Sequence, residues 1–108
     1  MDAVLQALAE PRRRAILAAI RDRELAAGEI AAQFPDVTRP AISQHLTVLR
    51  SAGLLDERRA GTRRLYRARP QGAAELRTWL DAFWGEALER LRIYAELEEH
   101  HGPHHRLR

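Results

Sequence analysis

The sequence predicts a mainly α-helical domain that carries one small β-hairpin. Three observations lead there. Apolar residues recur at helical spacing in four stretches of the first 52 residues and in one long stretch near the end. Residues 54–69 instead break into two short runs around Ala60-Gly61-Thr62, the pattern of two strands and a turn. The length of 108 residues suits one core of modest size.

Asp2–Leu8 sets Val4, Leu5 and Leu8 on one side of a short first helix. Pro11 opens a second helix, Pro11–Arg21, because proline suits the first helical turn, and Ile16, Leu17 and Ile20 form its buried stripe. Ala27–Phe34 is a third, with Ile30, Ala31 and Phe34 inward and Pro35 closing it. Asp36-Val37-Thr38 turns the chain. Thr38 then caps a fourth helix, Arg39–Ala52, with Pro40 just inside it, and Gly53 stands where left-handed backbone is common after a helix. Leu54–Arg59 and Arg63–Arg69 are the two strands. After Pro70, the chain from Gln71 to about Glu99 is one long helix. Leu76, Leu80, Phe83, Ala87, Leu91 and Tyr94 form its apolar stripe, widened by Trp79, Trp84, Leu88 and Leu97. Burial against a second copy answers so broad a band on so small a domain. Residues 1–99 are thus read as one domain, with the hairpin at about 55–69 and the last helix at about 71–99. The His/Arg-rich segment 100–108 breaks helical periodicity and is expected to be loose.

The fourth helix carries the functional signal. At about 100° per residue, Ile42, His45, Leu46 and Leu49 gather on one arc. Pro40, Ser43, Gln44, Thr47 and Ser51 fill the other, with Arg39 and Arg50 at its edge. Short polar side chains flanked by Arg suit a helix lying in the major groove of DNA. Charge agrees: the net +3 hides a +6 over residues 37–69, where eight Arg face two acids. The hairpin carries six of those Arg, and a basic hairpin directly after a polar-faced helix is the arrangement of a winged helix-turn-helix.

Each candidate has a plainer reading. Ser43, Gln44 and Thr47 read either as base contacts or as ordinary solvated helix surface, and the neighbouring basic hairpin favours the first. Arg39 and Arg50 are phosphate-contact candidates, although Arg50 is also placed to pair with a carboxylate of its own surface. Thr38 serves as a cap whose helix N-terminus also suits a phosphate. His45 lies beside the core arc, so a structural hydrogen bond competes with phosphate contact. Arg59, Arg63 and Arg64, nearest Gly61, are the expected wing-tip contacts, while Arg67 and Arg69 lie further back and suit acids. Tyr66 is expected in the core, and Arg12–Arg14 on a charged helix face. The His100, His101, His104 and His105 pairs suit adventitious metal capture better than a built site.

These residues resemble a known family. Glu10-Pro11-Arg12-Arg13-Arg14-Ala15-Ile16-Leu17 is similar to the second-helix signature of the ArsR-type winged-helix repressors. Pro40-Ala41-Ile42-Ser43-Gln44-His45-Leu46, with Leu49 and Ala52-Gly53-Leu54-Leu55, resembles their recognition helix and its exit. Arg58-Arg59-Ala60-Gly61-Thr62-Arg63-Arg64-Leu65-Tyr66 resembles their wing. The segment from Trp79-Leu80 through Phe83-Trp84 to Tyr94 is similar to the metal-independent, SdpR-like branch. The resemblance implies a homodimer built on the first and last helices, through Leu5, Leu8, Leu76, Trp79, Leu80, Phe83, Trp84, Leu88 and Leu91. It also implies two recognition helices in successive major grooves of an inverted repeat, with Thr38, Arg39, Pro40, Ser43, Gln44, His45, Thr47, Arg50, Arg59, Arg63 and Arg64 on DNA. The chain departs from the metal-sensing members: it has no Cys, and Asp81 is followed by Ala82-Phe83 where an Asp-x-His would begin a zinc site.

Other classes fall away. No apolar run approaches the roughly 20 residues of a membrane span, and Met1–Leu8 is too short and polar for a signal peptide, so a cytoplasmic protein is expected. No nucleophile elbow or Gly-rich phosphate loop occurs, and Ser43 and His45 point about 200° apart on their helix, which argues against an enzyme. The expectation is a repressor that binds double-stranded DNA as a homodimer and needs no cofactor or metal. The rivals are a metal- or small-ligand-responsive regulator of the same fold, and a protein-interaction adaptor that has lost DNA binding.

Overall fold

The computed structural model describes residues 1–106, with side chains through Glu99. Along them run α1 (Asp2–Leu8), α2 (Pro11–Ala19), β1 (Leu25–Ala26), α3 (Ala27–Ala32), α4 (Arg39–Ser51), β2 (Leu55–Ala60), β3 (Arg63–Ala68) and α5 (Ala74–Arg106), with a 3₁₀ turn at Pro70–Ala73. The segment 1–99, expected to be one domain, falls into two compact units, Met1–Leu76 and Arg77–Arg108.

In the first unit, Val4, Ala7, Ile16, Ile20, Leu25, Ile30, Ile42, Leu46, Leu49, Leu54, Leu55 and Tyr66 form one buried cluster. Each helix brings one stripe to it, so four short helices that would be marginal alone are held by packing. Their ends are stitched by side chains. Glu10 accepts from the Arg12 amide (3.0 Å) at the start of α2, and Thr38 accepts from the Ala41 amide (3.3 Å) at the start of α4. Arg13 donates to the carbonyls of Ala7 (2.7 Å) and Gln6 (3.0 Å), and Arg14 to that of Leu8 (2.6 Å), so both cover the carbonyl end of α1. Within the triple-arginine run, read as a charged face, Arg13 and Arg14 are therefore also the clasp between α1 and α2, while Arg12 pairs with Asp36 at 2.6 Å.

The hairpin belongs to a three-stranded antiparallel sheet, order β1-β3-β2. The two-residue strand β1 pairs Leu25 with Tyr66 and Ala26 with Leu65, a correction to the two-strand expectation. Two residues are too few to show alternation, so backbone pairing alone makes this strand. Gly61, at φ 64°, takes the first of the two loop positions, as in a type II′ turn that matches strand twist. Gly53, at φ 76°, follows the C-cap of α4. A close approach lies beyond it: a β-carbon on Gly72 would stand 2.0 Å from the Gly53 carbonyl oxygen, so the 3₁₀ turn touches the helix exit backbone to backbone. Leu8 and Leu76 are half-buried against the cluster, and Leu5 is exposed.

In the second unit, α5 continues past the expected end near Glu99 to Arg106, and the side chains of the 100–108 tail, including its four His, lie outside the described residues. Trp79, Phe83 and Trp84 pack on one another with centroids 4.9–5.8 Å apart, yet 41%, 67% and 46% of their surfaces are exposed. Leu88, Leu91, Tyr94 and Leu97 are exposed too, and Leu80 is half-buried. Arg92, paired with both Glu89 and Glu96, has its pKa raised by those carboxylates.

Candidate nucleic-acid interface

α4 divides as its sequence demands. Ile42, Leu46 and Leu49 are buried, whereas Arg39, Pro40, Ser43, Gln44, Thr47, Arg50 and Ser51 are exposed along the other side. The Thr47 hydroxyl donates to the Ser43 carbonyl (3.0 Å), which holds it against the helix and leaves its oxygen free to accept. Gln44 keeps its full amide in solvent, the group that reads adenine bidentately.

His45 sits at the boundary. It is half-buried, and Arg13 Nη1 lies 3.4 Å from its Nδ1, a bond the guanidinium donates when that nitrogen is unprotonated. Burial, then the charge of Arg13, holds the imidazole below its ordinary pKa. Of the two readings open for His45, this geometry supplies the structural one, tying α4 to α2.

The arginines around the hairpin differ sharply in freedom. Arg58 makes two bonds to Glu24 (2.6 and 2.8 Å), and Arg63 one to Glu29 (2.7 Å). Arg50 of α4 and Arg64 of β3 share Glu57 of β2, at 2.6 and 3.3 Å, while the Tyr66 hydroxyl donates to the same carboxylate at 2.9 Å. Arg69 lies 3.9 Å from Asp56. Among the described residues, Arg39, Arg59 and Arg67 have no ion-pair partner within 4 Å, so of the two arginines expected to meet acids only Arg69 does. The sequence offered Arg50 both a phosphate and a carboxylate; in the free protein it takes the carboxylate. Tyr66 is buried, as expected.

The acids respond to this company. Burial works to raise the Glu57 pKa, but the Tyr66 and Arg50 hydrogen bonds and the charges of Arg50 and Arg64 win, leaving it below the ordinary carboxylate value. The Arg58 hydrogen bond lowers Glu24. Glu29 is lowered first by the Ala26 amide it caps and then by Arg63. Sequence reasoning passed over Glu24, Glu29 and Glu57. The one signal for Glu57 was register: the two-residue loop sets it opposite Tyr66.

Between α4 and the hairpin lies a polar groove of about 190 Å³, lined by Ser43, Leu46, Thr47, Arg50, Glu57, Arg64 and Tyr66. The two arginines reach its rim half exposed, and the carboxylate sits behind them, 16% exposed. The arrangement can hold anions and hydrogen-bonding edges. No group of three or more His, Asp or Glu among the described residues is placed to hold a metal ion. No helix among them is long and apolar enough to cross a membrane.

Comparison with known proteins gives the same answer by another route. Residues 8–58 match a helix-turn-helix domain model. The chain is 50% identical to the HTH-type transcriptional regulator Rv2034 of Mycobacterium tuberculosis, over 94% of this chain and 91% of that one. It is 36% identical to the transcriptional repressor SdpR of Bacillus subtilis, over 56% of this chain and 67% of the repressor. Among solved structures, an ArsR-like transcriptional regulator from Rhodococcus sp. RHA1 superposes with a TM-score of 0.73 at 28% identity, covering 91% of this chain and 89% of that one.

Proposed function

Because the chain belongs to the ArsR family of winged helix-turn-helix transcriptional regulators, DNA-binding proteins and not enzymes, we propose that it is a cytoplasmic repressor which binds an inverted-repeat operator as a homodimer and needs no metal. The single observation that carries this reading is the exposed polar face of α4 set beside an arginine-rich hairpin. Ser43, Gln44 and Thr47 would read base edges, while Thr38, Arg39, Pro40 and Arg50 flank them on phosphates. Arg59, Arg63 and Arg64 would meet the backbone from the wing. His45 would act from behind, by holding α4 in place, more than by touching DNA.

The aromatic stripe of α5 supports the dimer. Trp79, Phe83, Trp84, Leu88 and Leu91 expose more apolar surface than a lone subunit gains from, and with Leu5, Leu8, Leu76 and Leu80 they would form the seam. A two-fold dimer presents two recognition helices about one DNA turn apart, hence the inverted repeat. The SdpR-like branch fits a chain without Cys and without an Asp-x-His start at Asp81.

The test is selection of genomic fragments by the purified protein at near-physiological salt, with and without chelator. Enrichment of a few inverted repeats regardless of chelator is expected. Enrichment that vanishes with chelator would replace this reading with a metal-dependent one, and no enrichment would favour an adaptor without DNA binding.

A further inference from the structure

Basic wings attract any duplex, because phosphate contacts carry no sequence information. This wing is damped by its own acids. Glu57 stands on β2 behind the rim of the groove and takes one guanidinium from each DNA-facing element, Arg50 of α4 and Arg64 of β3. Its side chain is 16% exposed, while Arg50 and Arg64 are 50% and 57% exposed. The cations therefore face outward over an anion that solvent screens poorly. The trio presents one net positive charge where its guanidiniums alone would present two. Glu57 is not needed to hold its strand, whose backbone pairing continues on both sides of it.

We propose that Glu57 is a specificity-determining residue that lowers the protein's affinity for non-cognate duplex by partly neutralising Arg50 and Arg64 of its DNA-facing surface. Bases read by α4 then make up the difference only at the right sequence. The inference rests on the DNA-binding reading and adds to it a residue that touches no DNA.

The test uses the full-length protein and a mixed-sequence 30-base-pair duplex, with binding followed by fluorescence anisotropy from 50 mM to 300 mM salt. Glu57→Gln keeps the shape and an oxygen acceptor for Tyr66 but removes the charge. One further counterion should then be released, steepening the slope of log binding constant against log salt by about 0.9 and raising affinity at 50 mM salt by about tenfold. Adding Arg64→Gln to Glu57→Gln restores the net charge and should return the slope to that of the parent. Tyr66→Phe, which loses a hydrogen bond to Glu57 and no charge, should leave the slope alone. Should Glu57→Gln fail to fold by circular dichroism, Glu57→Ala removes the same charge and carries the same expectation. An unchanged slope in a folded variant overturns the proposal, as does an equal shift in Tyr66→Phe, which would make Glu57 a brace only. A parent that binds this duplex with no salt dependence sinks the DNA-binding reading itself, an outcome distinct from both.

Discussion

Two single residues concentrate what holds this molecule together. His45 is kept neutral by burial and by the Arg13 charge 3.4 Å away, so its folded-state pKa lies below the unfolded value of about 6.5. The unfolded chain then binds more protons as pH drops through that value. The contribution of His45 is complete above about pH 6.5 and is lost as pH falls from there toward the depressed folded pKa. Urea denaturation at pH 7.5 and pH 5.5 should therefore show a smaller loss of stability for His45→Gln than for the parent; equal losses would mean that His45 is not the sensitive group. Gly72 is the other. With its missing β-carbon 2.0 Å from a backbone oxygen, Gly72→Ala should cost about 3 kcal/mol, at the upper end of overpacking penalties. Gly28→Ala is the matched control, for its nearest neighbour is the tip of Arg39 at 3.9 Å; there a helical alanine should leave stability unchanged or raise it by up to about 1 kcal/mol. Thermal melts of the pair decide it.

At the scale of elements, the proposed function divides the work of binding between α4 and the hairpin. Gln44→Ala should weaken binding to the selected operator by about 1–3 kcal/mol and relax base preference at one position, because on the proposed reading it removes a base-edge contact. Arg59→Ala, which frees no carboxylate, should weaken all sequences alike and flatten the salt slope by about one. A titration series against operator and mixed-sequence DNA separates the two; a change of base preference in Arg59→Ala would contradict its place on the backbone. These elements were legible in the sequence because each depends on local chemistry. Thr38 and Pro40 start α4, Ile42, Leu46 and Leu49 fix its inward face, and Gly61 makes the turn. What was not legible depends on partners far along the chain. β1 exists only because β3 lies beside it, Arg63 finds Glu29 34 residues away, and Glu57 meets Arg50 only once hairpin and helix are packed. Arg13 and Arg14 showed their charge in the sequence, but the carbonyls they clasp become neighbours only when α1 folds back on α2.

For the whole molecule, the exposed stripe of α5 makes the state of association the central prediction. Phe83→Glu puts a charge on a side chain that is 67% exposed in the lone chain, so folding should survive while pairing fails. Sedimentation equilibrium should give the monomer mass for Phe83→Glu and twice that for the parent. Loss of the linked second half-site should weaken operator binding at least about 100-fold. A parent that sediments as a monomer would remove the case for a two-fold operator. The sheet shapes association as well, from the opposite direction. Its central strand is β3; one edge is the two-residue β1, which runs straight into α3, and the other is β2, whose middle reads Asp56-Glu57-Arg58-Arg59. An edge so short on one side and so charged on the other gives an incoming strand no template. The protein is thus protected against growing into fibrils by strand addition, and a crowded population of subunits can meet side chain to side chain without its backbones zipping together.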